Sequence, residues 1–144
     1  MEATFELKPL TLLAKVFPDK IYGDEQTCFT GFVGEEVNFQ IAMRSIAQKY
    51  NQKAYTFEII SDFSDISVYE VGHVPSWLAA YPTVADEDYL TKEAGLFPDP
   101  LLPICGNTVS AAVGKWSTMW VSIKIPYEVC AGEHCIIAQR IEKI

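Results

Sequence analysis

Two long stretches of this chain alternate apolar and polar residues with a period of two, and no helix of ordinary length is indicated before residue 76. From Glu36 to Ile46, Val37, Phe39, Ile41 and Met43 fall on one side, with Asn38, Gln40 and Arg44 on the other. From Val113 to Pro126, Met119, Val121, Ile123 and Ile125 oppose Trp116, Thr118, Trp120, Ser122 and Lys124. A period of two is the signature of a half-buried β-strand, because successive side chains leave a strand on opposite faces.

Shorter runs repeat the pattern. Thr4 to Leu13 is extended and interrupted by Pro9, Lys15 to Asp19 (KVFPD) reads as a turn, and Gln26 to Phe32 is a further apolar run. Tyr55, Phe57 and Ile59 alternate with Thr56, Glu58 and Ile60, while Ile66, Val68, Val71 and Val74 favour extension through β-branching. The last strand runs from His134 to Ile141 after a turn at Ala131-Gly132. Ser76 to Ala80 has room for one helical turn before Pro82. Seven to eight short strands without βαβ alternation predict an all-β fold, an antiparallel β-sandwich of immunoglobulin-like or jelly-roll-like type, forming one domain over residues 1–144.

A hydrophobic content of 49% in 144 residues is enough for a real core. The formal net charge of -8, with 11 scattered basic residues, would repel a phosphate backbone, which argues against nucleic acid as a partner. No window approaches the roughly 20 apolar residues that span a bilayer, so no membrane partner is expected. The amino terminus, MEATFELKPL, has no basic region followed by a long apolar run, and as written the chain reads as cytoplasmic. That expectation lapses if the sequence is a piece of a longer protein.

Cys28, Cys105, Cys130 and Cys135 match no zinc spacing, so no metal or other cofactor is expected. They read as free, buried or half-buried thiols. A Cys130–Cys135 hairpin disulfide is the alternative for a secreted chain.

The stretch from Asp86 to Pro103 stands apart. It carries Pro98, Pro100 and Pro103, five carboxylates, and Leu96, Phe97, Leu101 and Leu102, in no clean period. The sequence predicts a long ordered loop with a docking role, folded over the face that bears Trp116 and Trp120. Phe97 and Leu101 are its expected anchors, and Tyr89 lies in the same segment. An uncovered Trp116–Trp120 pair would instead suit stacking on a sugar ring. Asp24-Glu25, Glu35-Glu36 and Asp86-Glu87-Asp88 read as solvated turns, and neither His73 nor His134 lies in a nucleophile context. No catalytic residue emerges.

Six pieces taken together carry a family resemblance. They are KVFPD at Lys15, GEEVNFQIAMR at Gly34, Val74-Pro75 with Tyr81-Pro82, EAGLFPDPLLP at Glu93, KWSTMWVSIKIP at Lys115, and AGEH at Ala131. In this order they resemble the amino-terminal β-sandwich domain of glycoside hydrolase family 123-like proteins, which include bacterial β-N-acetylgalactosaminidases. The resemblance implies a non-catalytic accessory module at the amino-terminal end of a longer protein, packed on a (β/α)8 catalytic domain absent from these 144 residues. In that family an adjacent Asp-Glu pair in the barrel carries the chemistry, and no residue here takes that role. Two other readings stand beside it: a carbohydrate-binding module stacking sugars on Trp116 and Trp120 with Tyr81 and Tyr89 nearby, or a free-standing acidic protein that docks a partner or forms a homodimer.

Overall fold

The computed structural model describes residues 5–46, 53–77, 87–104 and 106–141. In chain order the strands are β1 (Phe5–Leu10), β2 (Lys15–Val16), β3 (Ile21–Tyr22), β4 (Glu36–Ser45), β5 (Lys53–Ser61), β6 (Ile66–Ser76), β7 (Gly95–Pro103), β8 (Thr108–Ala111), β9 (Trp116–Lys124) and β10 (Ile136–Ile141). Five of them form an antiparallel sheet in the order β1-β4-β9-β6-β7, and three form a second sheet in the order β10-β5-β8. The two sheets pack as the expected β-sandwich, with β2 and β3 as a separate small hairpin.

The space between the sheets holds one core. Phe39, Ile41 and Met43 from β4 meet Met119, Val121 and Ile123 from β9, with Phe57 and Val109 facing them from the small sheet. Phe5 on β1 closes one end, its ring 4.9 Å from that of Tyr55 and 5.8 Å from that of Phe57. Burying side chains of this size stabilises the fold by about 1.5–3 kcal/mol each.

The alternating pattern predicts a solvated second face for β4, and the structure differs there. Residues Phe39 to Met43 are all buried, so the middle of β4 is covered on both sides. The outer cover is the segment after β1: Leu10, Ala14 and Val16 pack with Ala42 and Trp116 into a second cluster. Gln40 lies within it at 4% exposure, and its Nε2 donates to the carbonyls of Leu12 and Ala14, both at 2.8 Å. A buried amide is stable only with its partners supplied, and here it ties the covering segment to the sheet. Gly23 keeps the cover close, since at φ +137° a Cβ there would stand 2.7 Å from Ala14 Cβ.

Several expectations need correction. Lys15 and Val16 do not simply turn but pair with Tyr22 and Ile21. The Gln26 to Phe32 run forms no strand, and only Glu25 bridges to Leu10. Strand β8 has no sequence signal that sets it apart from a loop. The largest correction falls on Asp86 to Pro103, of which Gly95 to Pro103 is an edge strand paired with β6 and not a loop. Between Val71 and His73 the register with β7 shifts by one residue, as at a β-bulge. Of the helical turn expected over Ser76 to Ala80, Ser76 instead ends β6, and residues 78–86, with Tyr81-Pro82 among them, lie outside the described residues, as does Cys105.

Candidate functional site

The outer face of the large sheet is built in rows that cross all five strands. One row runs Leu10, Gln40, Trp120, Tyr69, Pro103, and a neighbouring one contains Asn38, Ser122 and Ser67. The cover provided by residues 10–22 ends part of the way across. Trp116 falls beneath it, 6% exposed, with the Arg44 guanidinium 4.4 Å above its ring. Trp120 stays half-buried, and its indole N–H donates to Asn38 Oδ1 at 3.0 Å and to Ser122 Oγ at 3.2 Å. The two tryptophans therefore form no exposed pair. What hides Trp116 is the segment around Leu10 and Val16, not the stretch from Asp86 to Pro103.

Beyond Trp120 the sheet continues as a wing made of β6 and β7. The small sheet ends at β8, which lies against β4 and β9, while the wing forms the end of the large sheet. Its surface is apolar: Val74, Leu96, Leu101 and Leu102 are 43–47% exposed, and Trp77, just after β6, is 94% exposed. Phe97 is half-buried, its ring 5.4 Å from Phe17 in a T-shaped contact, so it anchors the wing to the β2–β3 turn. His73 reinforces this joint through a 3.0 Å contact between Nε2 and the Val16 carbonyl. Of the residues singled out in this stretch, Leu101 is on the open surface, Phe97 is not, and Tyr89 is 36% exposed in the segment before β7. Trp77 is the member that sequence reasoning missed. It stands two residues after Pro75, in the stretch read as a helical turn, and nothing local marks it as exposed.

The wing also carries Glu70, which faces Met119 and Leu102 in the register. Desolvation by burial pushes its carboxyl above the ordinary range, opposed by the nearby His73. No second carboxylate accompanies it in those contacts, so a raised carboxyl here does not make an acid–base pair. Two members of the carboxylate pairs have local tasks. Glu25 bonds Lys8 at 2.5 Å, and Glu35 Oε2 accepts the amide of Phe32 at 2.9 Å to close the turn before β4. His134 contacts the Cys130 carbonyl at 3.1 Å and Asp62 at 3.4 Å. Among the described residues no group of three His, Cys, Asp or Glu side chains is placed to hold a metal ion. Cys28, Cys130 and Cys135 are free and exposed, where the sequence suggested buried or half-buried thiols.

The fold and this surface define an antiparallel β-sandwich with exposed apolar residues at the β6–β7 end of its larger sheet. Among solved structures the chain is similar to a family 123 glycoside hydrolase from Clostridium perfringens, described for glycolipid glycan hydrolysis, with a TM-score of 0.66 at 13% identity over 96% of this chain. The match spans 24% of that protein's chain, so the likeness is to a part of it and is one of fold. No family model matches the sequence, and no curated protein matches it.

Proposed function

We propose that this domain is the non-catalytic accessory β-sandwich of a glycoside hydrolase-like protein, and that it packs on a (β/α)8 catalytic domain through the β6–β7 wing and the adjoining Trp120 face. The observation that carries the reading is the wing itself. Trp77, Leu96, Leu101 and Leu102 leave apolar surface exposed on β7 and just after β6, at one end of the larger sheet. Such patches mark interfaces in soluble proteins. The likeness to roughly a quarter of a family 123 glycoside hydrolase supports it from the side of the fold.

The reading makes the domain a support and assigns the chemistry elsewhere. Purified 144-residue chain should fold and leave an aryl N-acetyl-β-galactosaminide unhydrolysed. Turnover that disappears on one carboxylate substitution within this chain would overturn the assignment. In the parent protein, Leu101→Asp with Trp77→Ser should free the domain from its neighbour, seen as faster proteolytic separation of the two. A sugar-stacking role is the competing reading. It now rests on Trp120 and Tyr89 without Trp116, and a fluorescence change on titration with oligosaccharides, lost in Trp120→Ala, would favour it.

A further inference from the structure

The opposite end of the sandwich carries a second incomplete feature. Between β1 and β10, the strands at matching ends of the two sheets, the layers gape into a cleft of about 740 Å³ walled by Leu7, Pro9, Phe39, Ile123, Ile136 and Ala138. One end of the gape is shut, because Arg140 lies over the rings of Phe5 and Tyr55 at 5.3 and 5.7 Å. Further lining comes from Gly132 to His134 and from Thr27 to Gly31, whose Phe29 stacks on Phe39 at 4.8 Å.

Strand β10 lines this cleft and is paired on one side, with β5. Its other edge meets no strand among the described residues, so half of its backbone donors and acceptors face outward. Both edges of the larger sheet are guarded. Strand β7 has three prolines and a bulge, and β1 has Pro9, with Gln26 N–H donating to the Pro9 carbonyl at 3.0 Å. Strand β10, with the sequence IIAQRI, has neither proline nor bulge, and its one charge is turned inward over the rings. It keeps apolar residues on both faces, Ile136 and Ala138 toward the cleft and Ile137 and Ile141, 47% and 41% exposed, away from it.

An open strand edge above an apolar cleft is the geometry of β-strand addition, where backbone bonds supply affinity and alternate side chains fill a pocket. The surroundings set the charge of the occupant. Glu133 lines the cleft, Asp62, its carboxylate 70% exposed, contacts the lining residue His134 at 3.4 Å, Glu58 lies one strand inward, and the chain as a whole carries a net charge of -8. We propose that β10 and the cleft beneath it form an acceptor site for an extended segment of a partner protein, apolar at alternate positions and basic at its ends. The site lies at the far end of the sheet from the β6–β7 wing, so it does not depend on the accessory role.

A fluorescein-labelled peptide of sequence Lys-Val-Thr-Val-Thr-Val-Lys tests this by anisotropy on the intact chain. Saturable binding is expected, weakened by added salt, and the block isomer Lys-Thr-Thr-Val-Val-Val-Lys should bind poorly. Strand pairing has a signature that mere stickiness lacks. N-methylating one alternate set of peptide amides should weaken binding about tenfold or more, while methylating the other set, which faces solvent, should change it by less than about twofold. Ala138→Lys, checked for folding by thermal denaturation, should abolish binding. No saturation at millimolar chain, equal binding of the block isomer, or equal loss from both methylation sets overturns the proposal. So does a dimer, seen by light scattering, that Ala138→Lys dissociates while the peptide does not bind, since β10 would then pair with its own copy.

Discussion

Thr118 shows how closely the outer cover fits. It is 1% exposed opposite Ala42, and its hydroxyl has no hydrogen-bond partner among the described residues. An unsatisfied buried hydroxyl costs stability, while its methyl is well packed. Thr118→Val should therefore leave the fold unharmed or stabilise it by about 1 kcal/mol in urea denaturation, where a buried Thr bonded in a network would lose that amount. Glu70 gives a pH-dependent counterpart. Desolvation raises its folded-state pKa above the unfolded value, with His73 in opposition, so folding takes up a proton between the two values and stability falls as pH rises through that window. Glu70→Gln should match the parent at acid pH and exceed it at neutral pH, a difference readable in thermal scans at both. Gln40 marks the limit of reading at this scale. Its alternation with Phe39 and Ile41 is plain in the sequence, but that the carbonyls of Leu12 and Ala14 would come to its amide depends on a segment 26 and 28 positions away.

At the scale of elements, β7 is the instructive case. Pro98, Pro100 and Pro103 make the segment look irregular because proline cannot donate to a ladder. An edge strand needs donors on one side alone, and the same residues then block pairing with another chain. Pro100→Thr together with Pro103→Thr should leave β7 folded and make the protein self-associate, detected as concentration-dependent scattering. Among the strands that were legible, β4 and β9 hold a strict alternation, while β5, β6 and β10 break it at Ile60, Glu70 and Ile137. Strand β8 and the pair β2–β3 are short, and partners far along the chain define them: Tyr55↔Val109 for β8, and the packing of Val16 on Trp116 for β2. Their sequences alone carry too few residues to express a period.

For the whole molecule, the two ends of the large sheet have different fates. The middle of β4 is packed on both faces, whereas the β6–β7 wing is left with Trp77, Val74, Leu96, Leu101 and Leu102 on its surface. Side chains this exposed add little to the stability of the isolated chain. Trp77→Ser with Leu101→Ser should shift its unfolding free energy by less than about 1 kcal/mol while reducing binding of a hydrophobic dye such as ANS. By contrast Phe57→Ala, at 1% exposure in the core, should cost about 3–5 kcal/mol in the same denaturation experiment. The sequence by itself determined the class of fold, the main strands and which of their faces point into the core, because period and β-branching are local properties of the chain. Only the tertiary structure decided that Trp116 is covered and Trp77 bare, that a proline-rich stretch is a sheet edge, and that β10 borders an open cleft. Those outcomes depend on which distant segments meet across the sheets, and no stretch of sequence contains its own neighbours in space.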